Sequence, residues 1–367
     1  MPLIAVCAAW AVFWGSWSAL LPAVKLELGV SAGDLGLALS AVPVGALPAM
    51  ALAGRWARGR ERIALAVSVI VFAGGVAGIG LAGSLWQLAV ALLVVGAASG
   101  ALDISLNLTT GRVERETGRR LFQVVHAAFP VTVIAAAPAT GLARSLGYGL
   151  DAVLVTVALV VAATALTLPA LPVLPVGRDP SPPAFRGGRR GLWGVAAVLG
   201  ALVACQLAIE NAVEQWSVLL LEDRHGATPL VAGTAPAVYM ATLTIGRLVA
   251  QALPRLPLRL MYAVAGAGGG AGIAVAGLAA HVPISMAGLA VAGLALGPLA
   301  PAVLSRSAAD DPSGTLVWAV STISYAGFVL SPLLVAGLSG WLGLPYALAA
   351  LGLLGLPLVA RVAVERS

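Results

Sequence analysis

Long apolar runs separated by short polar ones set the pattern of this chain. Twelve runs are long enough to cross ~30 Å of hydrocarbon as helices rising 1.5 Å per residue. They fall at about Leu3–Val24, Asp34–Gly54, Ile63–Gly83, Leu85–Leu108, Leu121–Ala143 and Leu150–Pro172. After a break come Leu192–Leu221, Pro229–Leu253, Leu258–Ala280, Ile284–Ser305, Thr315–Gly337 and Leu344–Val362. Connections as short as Gly83-Ser84 leave room only for antiparallel neighbours. The first run starts almost at Met1 and is long enough to span, so it reads as a helix and not as a cleavable signal.

The longest polar interruption, Val173–Gly191, is rich in Pro, Gly and Arg and reads as a linker. It divides the chain into residues 1–172 and 192–367, with six runs in each. The halves repeat. The first run ends Trp17-Ser18-Ala19-Leu20-Leu21 and the seventh ends Trp216-Ser217-Val218-Leu219-Leu220. The next run closes on Gly54-Arg55 in one half and on Gly246-Arg247 in the other. The expected fold is therefore an all-α membrane protein of twelve transmembrane helices in two parallel six-helix repeats.

Composition agrees with that class. Hydrophobic residues make up 60% of the chain and charged residues 10%, with a mean hydropathy of +0.99. Soluble domains are about a quarter charged, so a soluble surface could not be covered here. The basic residues are dispersed between apolar runs, which argues against nucleic acid as a partner despite a net charge of +6. Their placement orients the chain. With the N-terminus inside, the even loops and the C-terminus hold 17 of the basic residues and the odd loops hold Lys25, Arg144 and Arg224. Both termini are thus expected in the cytoplasm. Arginine outnumbers lysine 20 to 1 in an Ala- and Gly-rich chain, a GC-rich coding bias that points to a bacterium and its inner membrane.

Ionisable groups inside such runs are costly and mark sites. The stretch Gly96–Pro130 carries Asp103 and Asn107, a charged hinge from Thr109 to Arg120, then Gln123 and His126. Asp103 and His126 are each six residues from the hinge, ~9 Å inside its face if the two runs are antiparallel helices. Asp103 and Asn107 share one helix face. Asp103, tuned by His126, either titrates or meets a polar substrate, or the Asp–His pair locks the two helices together, and the sequence leaves both readings open. In the seventh run Gln206, Glu210 and Glu214 form a stripe at spacing four, with Asn211 alongside. Two carboxyls one turn apart repel when both are ionised, so the pair can share a proton. The repeat puts Ala11 and Gly15 at the equivalent positions of the first run, so the acids are an addition to one half.

Trp10, Trp14 and Trp17 recur at spacings of four and three on the first run, and an indole face stacks on sugar rings or flat cations. Trp318 and Tyr325 offer similar groups in the eleventh run. Arg247 lies about six residues inside the eighth run and either snorkels or joins an inner ion pair. The glycine run Gly266–Gly272 has no phosphate-loop pattern and reads as close helix packing. Cys7 and Cys205 have no disulfide or metal spacing, and no metal, cofactor, ATP-binding or enzyme motif is found.

Twelve helices, the six-plus-six repeat and the Arg-rich loop Gly54-Arg55-Trp56-Ala57-Arg58-Gly59-Arg60-Glu61-Arg62 resemble the major facilitator superfamily. The loop departs from the superfamily motif, lacking its Asp. Asp103-x-x-x-Asn107, Glu114, Arg120-Leu121 and His126-x-x-Phe129 look like a bacterial branch distantly related to fucose permease-type sugar porters. The resemblance implies a cavity lined by helices 1, 4, 7 and 10 and gating contacts near Arg55 and Arg58. It implies a secondary transporter, not an enzyme, with a small-molecule substrate, protons and the lipid bilayer as partners and a monomer as the expected state. The expected function is proton-coupled movement of a sugar-like or small polar solute by alternating access. Asp103, His126, Glu210 and Glu214 are candidates for proton coupling. Asn107, Gln206, Asn211, the three tryptophans, Trp318 and Tyr325 are candidates for substrate contact; Arg55, Arg58 and Arg247 are candidates for gating. The alternatives are proton-driven efflux of a drug or metabolite, and a non-transporting receptor or scaffold; a soluble sensing domain that a receptor needs is not found between the runs.

Overall fold

A computed structural model describes residues 2–57, 59–118, 121–171, 190–253, 256–311 and 314–364. Among these are twelve helices long and apolar enough to cross a membrane, and no strand. They are α1 Pro2–Leu28, α2 Ala32–Trp56, α3 Glu61–Gly80, α4 Leu85–Glu114, α5 Phe122–Ser145 and α6 Leu150–Ala170, then α7 Leu192–His225, α8 Pro229–Ala252, α9 Leu258–Leu278, α10 Val282–Asp310, α11 Thr315–Leu342 and α12 Leu344–Ala363. Large apolar residues such as Ile63, Leu159, Leu166 and Leu353 stand exposed on these helices, as a lipid-facing surface requires. The expected linker Val173–Gly191 lies almost wholly outside the described residues, as does Arg58.

Helix boundaries follow local chemistry. Ser31 and Asp34 form a capping box, so α2 starts ahead of the expected Asp34. The larger difference is in α4. Its apolar run ends near Leu108, but the helix continues to Thr117 and stops where Gly118 turns to φ +68°. Arg112 meets Glu116 one turn on at 3.4 Å, and the Thr117 hydroxyl donates back to the Val113 carbonyl, so the charged stretch is helical and not a hinge. Glu114 then reaches forward: its Oε2 accepts from the amides of Leu121 and Phe122 at 2.6 and 3.0 Å. A carboxylate there satisfies orphan donors at the start of α5.

The chain forms two compact units, Met1–Asp179 with Thr228–Ala237, and Pro180–Ala227 with Val238–Ser367. In unit 1, α2 lies against α4, α1 against α5, and α3 against α4 and α6. In unit 2, α7 packs on α11, and α9 lies against α10 and α12. Between helices that share one apolar solvent, close backbone approach supplies the attraction. Each unit has a Gly-x-x-x-Gly that makes this approach possible: Gly96 and Gly100 in α4, Gly293 and Gly297 in α10. A Cβ on Gly96 would run into the Val42 carbonyl of α2, and one on Gly297 into the Leu243 carbonyl of α8. The glycine run in α9 makes the close packing expected of it, with Gly270 facing the Gly352 carbonyl of α12.

Candidate functional site

Each unit has a polar centre of its own. In unit 1, Asn107 on α4 donates through Nδ2 to Asp103 Oδ1 at 3.0 Å, and its Oδ1 lies 2.8 Å from His126 Nε2 on α5. An imidazole with its proton on Nε2 donates to that oxygen. Asp103 and His126 are therefore joined through Asn107. The helix α4 runs through most of the expected hinge, to Thr117, and Asn107 bonds to both Asp103 and His126. His126 is exposed and stacks flat on Phe122 at 5.9 Å. Gln123 is exposed beside it.

Nearby, Trp10 Nε1 donates to Ser99 Oγ at 2.9 Å, and its ring meets Phe129 edge-on at 5.1 Å. The expected single tryptophan face divides. Phe13 stands between Trp14, which meets it edge-on at 5.0 Å, and Trp17, which stacks on it at 5.9 Å. Phe13 in turn abuts Phe72 of α3, and Trp17 is fully buried there. Ser16 accepts from Thr140 Oγ1 at 2.9 Å, tying α1 to α5. Further along, Arg112 Nη1 and Glu61 Oε2 form a buried pair at 2.7 Å, linking α4 to the start of α3. Glu61 also accepts from the Gly59 amide at 2.7 Å. No spacing rule could have joined two charges 51 residues apart. Arg55 is exposed near this end.

Unit 2 is built differently. Gln206, Glu210, Asn211, Glu214 and Gln215 project from successive turns of α7; Gln206 and Glu210 are buried and the others half-buried. On α8, Arg247 Nη2 approaches Glu210 Oε1 at 3.8 Å, and Nε donates to the Gly297 carbonyl of α10 at 3.2 Å. That carbonyl needs a donor, since the residue four positions on is Pro301, which has no N–H. Arg247 supplies it, and so turns inward toward Glu210. Tyr239 was missed in the sequence, although it precedes Arg247 by two helical turns on the same face of α8. It is fully buried, and its hydroxyl lies in the field of Glu210, Glu214 and Arg247.

The two centres differ in how far their polar atoms are satisfied. In unit 2, Gln206 Oε1 and Nε2, Glu210 Oε2, Asn211 Oδ1, Gln215 Oε1 and the Tyr239 hydroxyl are buried without a hydrogen-bond partner in the protein. Orphans of this kind are rare in folded proteins and call for a water or a ligand. Trp318 stands exposed on α11, and Tyr325 packs against Phe328 at 5.5 Å. No group of His, Cys, Asp and Glu among the described residues is arranged to hold a metal ion.

The Major Facilitator Superfamily model matches residues 3–332. The chain belongs to the Major Facilitator Superfamily. Among its superfamily relatives, an MFS-type transporter of Yersinia pestis is 27% identical over 361 residues, covering 94% of this chain and 90% of that one. The superfamily fold is equally plain in solved structures. The nucleoside transporter NupG superposes with a TM-score of 0.77 at 13% identity, covering 100% of this chain and 98% of its own. A bacterial homologue of the human lysosomal transporter Spinster gives 0.76 at 15% identity, with 99% and 96% covered. At such identities the likeness is one of fold. The chain is accordingly a multi-pass membrane transporter of the major facilitator type for a small solute.

Proposed function

We propose that this transporter moves a small hydroxyl-rich solute, sugar-like in its chemistry, across a bacterial inner membrane by alternating access, driven by protons. Both termini lie in the cytoplasm in this reading, as the distribution of arginines implies. The observation that carries it is the set of orphaned groups around Glu210 and Glu214. Four unpartnered acceptor oxygens on α7 outnumber one unpartnered amide donor and one phenol. Such a surface suits a ligand rich in O–H donors, because buried acceptors left unpaired cost about 1–3 kcal/mol each. The acids supply the protonatable groups a gradient-driven carrier needs, and no nucleotide-binding motif offers another drive. Asp103, Asn107 and His126 serve in this reading to hold α4 to α5, and Trp10 with Phe129 lines the same region.

The test has two stages. Purified full-length protein is screened by thermal shift against neutral monosaccharides and polyols, and against tetraphenylphosphonium. Stabilisation by a monosaccharide or polyol, followed by uptake of that compound into proteoliposomes under an imposed pH gradient, is the expected result. Stabilisation by tetraphenylphosphonium alone would turn the reading to drug efflux, and uptake indifferent to the gradient would remove proton coupling.

A further inference from the structure

The chain has three histidines, and two of them, His225 and His281, lie at one corner of unit 2, where α7 ends and α9 gives way to α10. Helix α9 stops because Ala279 leaves helical backbone, at φ −52° and ψ 147°. Its last carbonyls then have no helical donor. Arg224 of α7 supplies two. Its Nη2 donates to the Leu278 carbonyl at 3.0 Å and its Nε to the Ala279 carbonyl at 2.9 Å. A guanidinium there also meets the negative end of the α9 dipole. The next residue makes a second fastening. His225 Nε2 lies 3.1 Å from Ser285 Oγ of α10, and that fully buried hydroxyl donates its proton to the Ala276 carbonyl of α9 at 2.6 Å. Toward the ring, Ser285 then offers only a lone pair. An imidazole with its proton on Nε2 donates to that oxygen, and Nδ1 is the nitrogen left to titrate.

Charging the ring works against this fastening. The bond to Ser285 is already complete with a neutral imidazole. A second proton, taken from water at Nδ1, sets a cation beside the Arg224 guanidinium and near His281. The Ala280 carbonyl, which bonds the ring, offsets part of that repulsion. Helices α9 and α10 bring no ionisable side chain to this end, since none stands in residues 268–278 or 282–296. Glu222 and Asp223 precede Arg224 on α7, each with interactions of its own. We propose that Arg224, His225 and Ser285 form an acid-released latch, which fastens the end of α7 to the turn between α9 and α10 while His225 is neutral and loosens when the ring charges. The latch is therefore whole above about pH 6.5, where a free imidazole is neutral, and weakens as pH falls below it. That this end faces the outside rests on the orientation proposed above; the latch itself does not. In that orientation it responds to the acidity of the medium and not to that of the cytoplasm.

Hydrogen–deuterium exchange of the full chain in lipid nanodiscs reads the latch. Amides of residues 219–227 and 278–286 are followed in alkaline and in acid buffer, on either side of the imidazole range. Each rate is divided by the intrinsic rate of an unstructured peptide at the same pH. In wild type, protection of both segments is expected to fall roughly fivefold in acid, the equilibrium weight of a single hydrogen bond. His225→Gln keeps a donor for Ser285 and cannot charge, so wild-type protection in alkali should persist unchanged in acid. Ser285→Ala removes the acceptor and should show the low protection at both values. His126→Gln, in unit 1, should respond as wild type does. A wild type without the acid response, a response that survives in His225→Gln or is lost in His126→Gln, or low protection of His225→Gln in alkali overturns the latch. Exchange is read without solute or gradient, so its outcome and that of the uptake assay are separate.

Discussion

The first helix of unit 1 and the first helix of unit 2 are copies that have diverged at their centres. Trp17-Ser18 and Trp216-Ser217 occupy the same repeat positions, and in both copies the indole nitrogen and the serine hydroxyl are buried and unpartnered. One turn away the copies part. Gly15 lies close against the α5 backbone, its Cβ position 3.2 Å from Val133 Cα, and Ser16 bonds to Thr140. Glu214 and Gln215 take those two places in unit 2, and Gln215 Oε1 has no partner. The fourth helices diverge in the reverse sense. Counting from the matched glycines, Asp103 of α4 corresponds to Ala300 of α10. Unit 1 thus keeps its acid on α4 and ties it to Asn107 and His126. Unit 2 keeps its acids on α7 and leaves the groups around them open. A closed network holds helices together; an open one is ready for something that comes and goes.

The features shared by the copies should tolerate least. Gly96→Leu and Gly293→Leu place a side chain against carbonyl oxygens of the neighbouring helix, and each is expected to abolish folded protein, read by size-exclusion chromatography in detergent. The buried pair of Glu61 and Arg112 lies in unit 1. Glu61→Ala leaves a buried guanidinium with a weakened set of partners and is expected to cost about 3–5 kcal/mol in denaturant unfolding. Replacing both partners with leucine should recover most of that loss.

The centres themselves should respond with opposite signs. Asn107→Ala breaks the closed network and is expected to destabilise by about 1–3 kcal/mol. Gln206→Leu removes an orphaned buried amide, and is expected to raise the melting temperature while weakening solute binding. If both substitutions destabilise equally, the contrast between closed and open centres is lost. The smallest effect is Trp10→Phe, which gives up the bond to Ser99 for about 1 kcal/mol and leaves the contact with Phe129.

The helices were legible because a span needs some twenty apolar residues and little else, and the copies were legible from Trp17-Ser18 and Trp216-Ser217. The end of α4 was not. Hydropathy stops at Leu108, whereas the helix is carried on by Arg112 pairing with Glu116 and Glu61, and only the first of those lies within reach of a sequence rule. The expected pairing of Asp103 with His126 runs through Asn107, which bonds to both. In unit 2 the stripe on α7 showed in the spacing of Gln206, Glu210 and Glu214. Its partners on α8 did not, because Tyr239 and Arg247 face it only once the helices pack, and Arg247 is drawn in by a carbonyl that Pro301 leaves without a donor.

The division between a structural centre and a coupling centre meets its most direct test in uptake. Proteoliposomes holding wild type, Asp103→Asn, or Glu210→Gln with Glu214→Gln would be given the stabilising monosaccharide or polyol under an inward pH gradient. Concentrative uptake is expected to survive in Asp103→Asn and to be lost in the double glutamine variant, which should still equilibrate the solute. Loss in Asp103→Asn together with survival in the double variant would contradict the account.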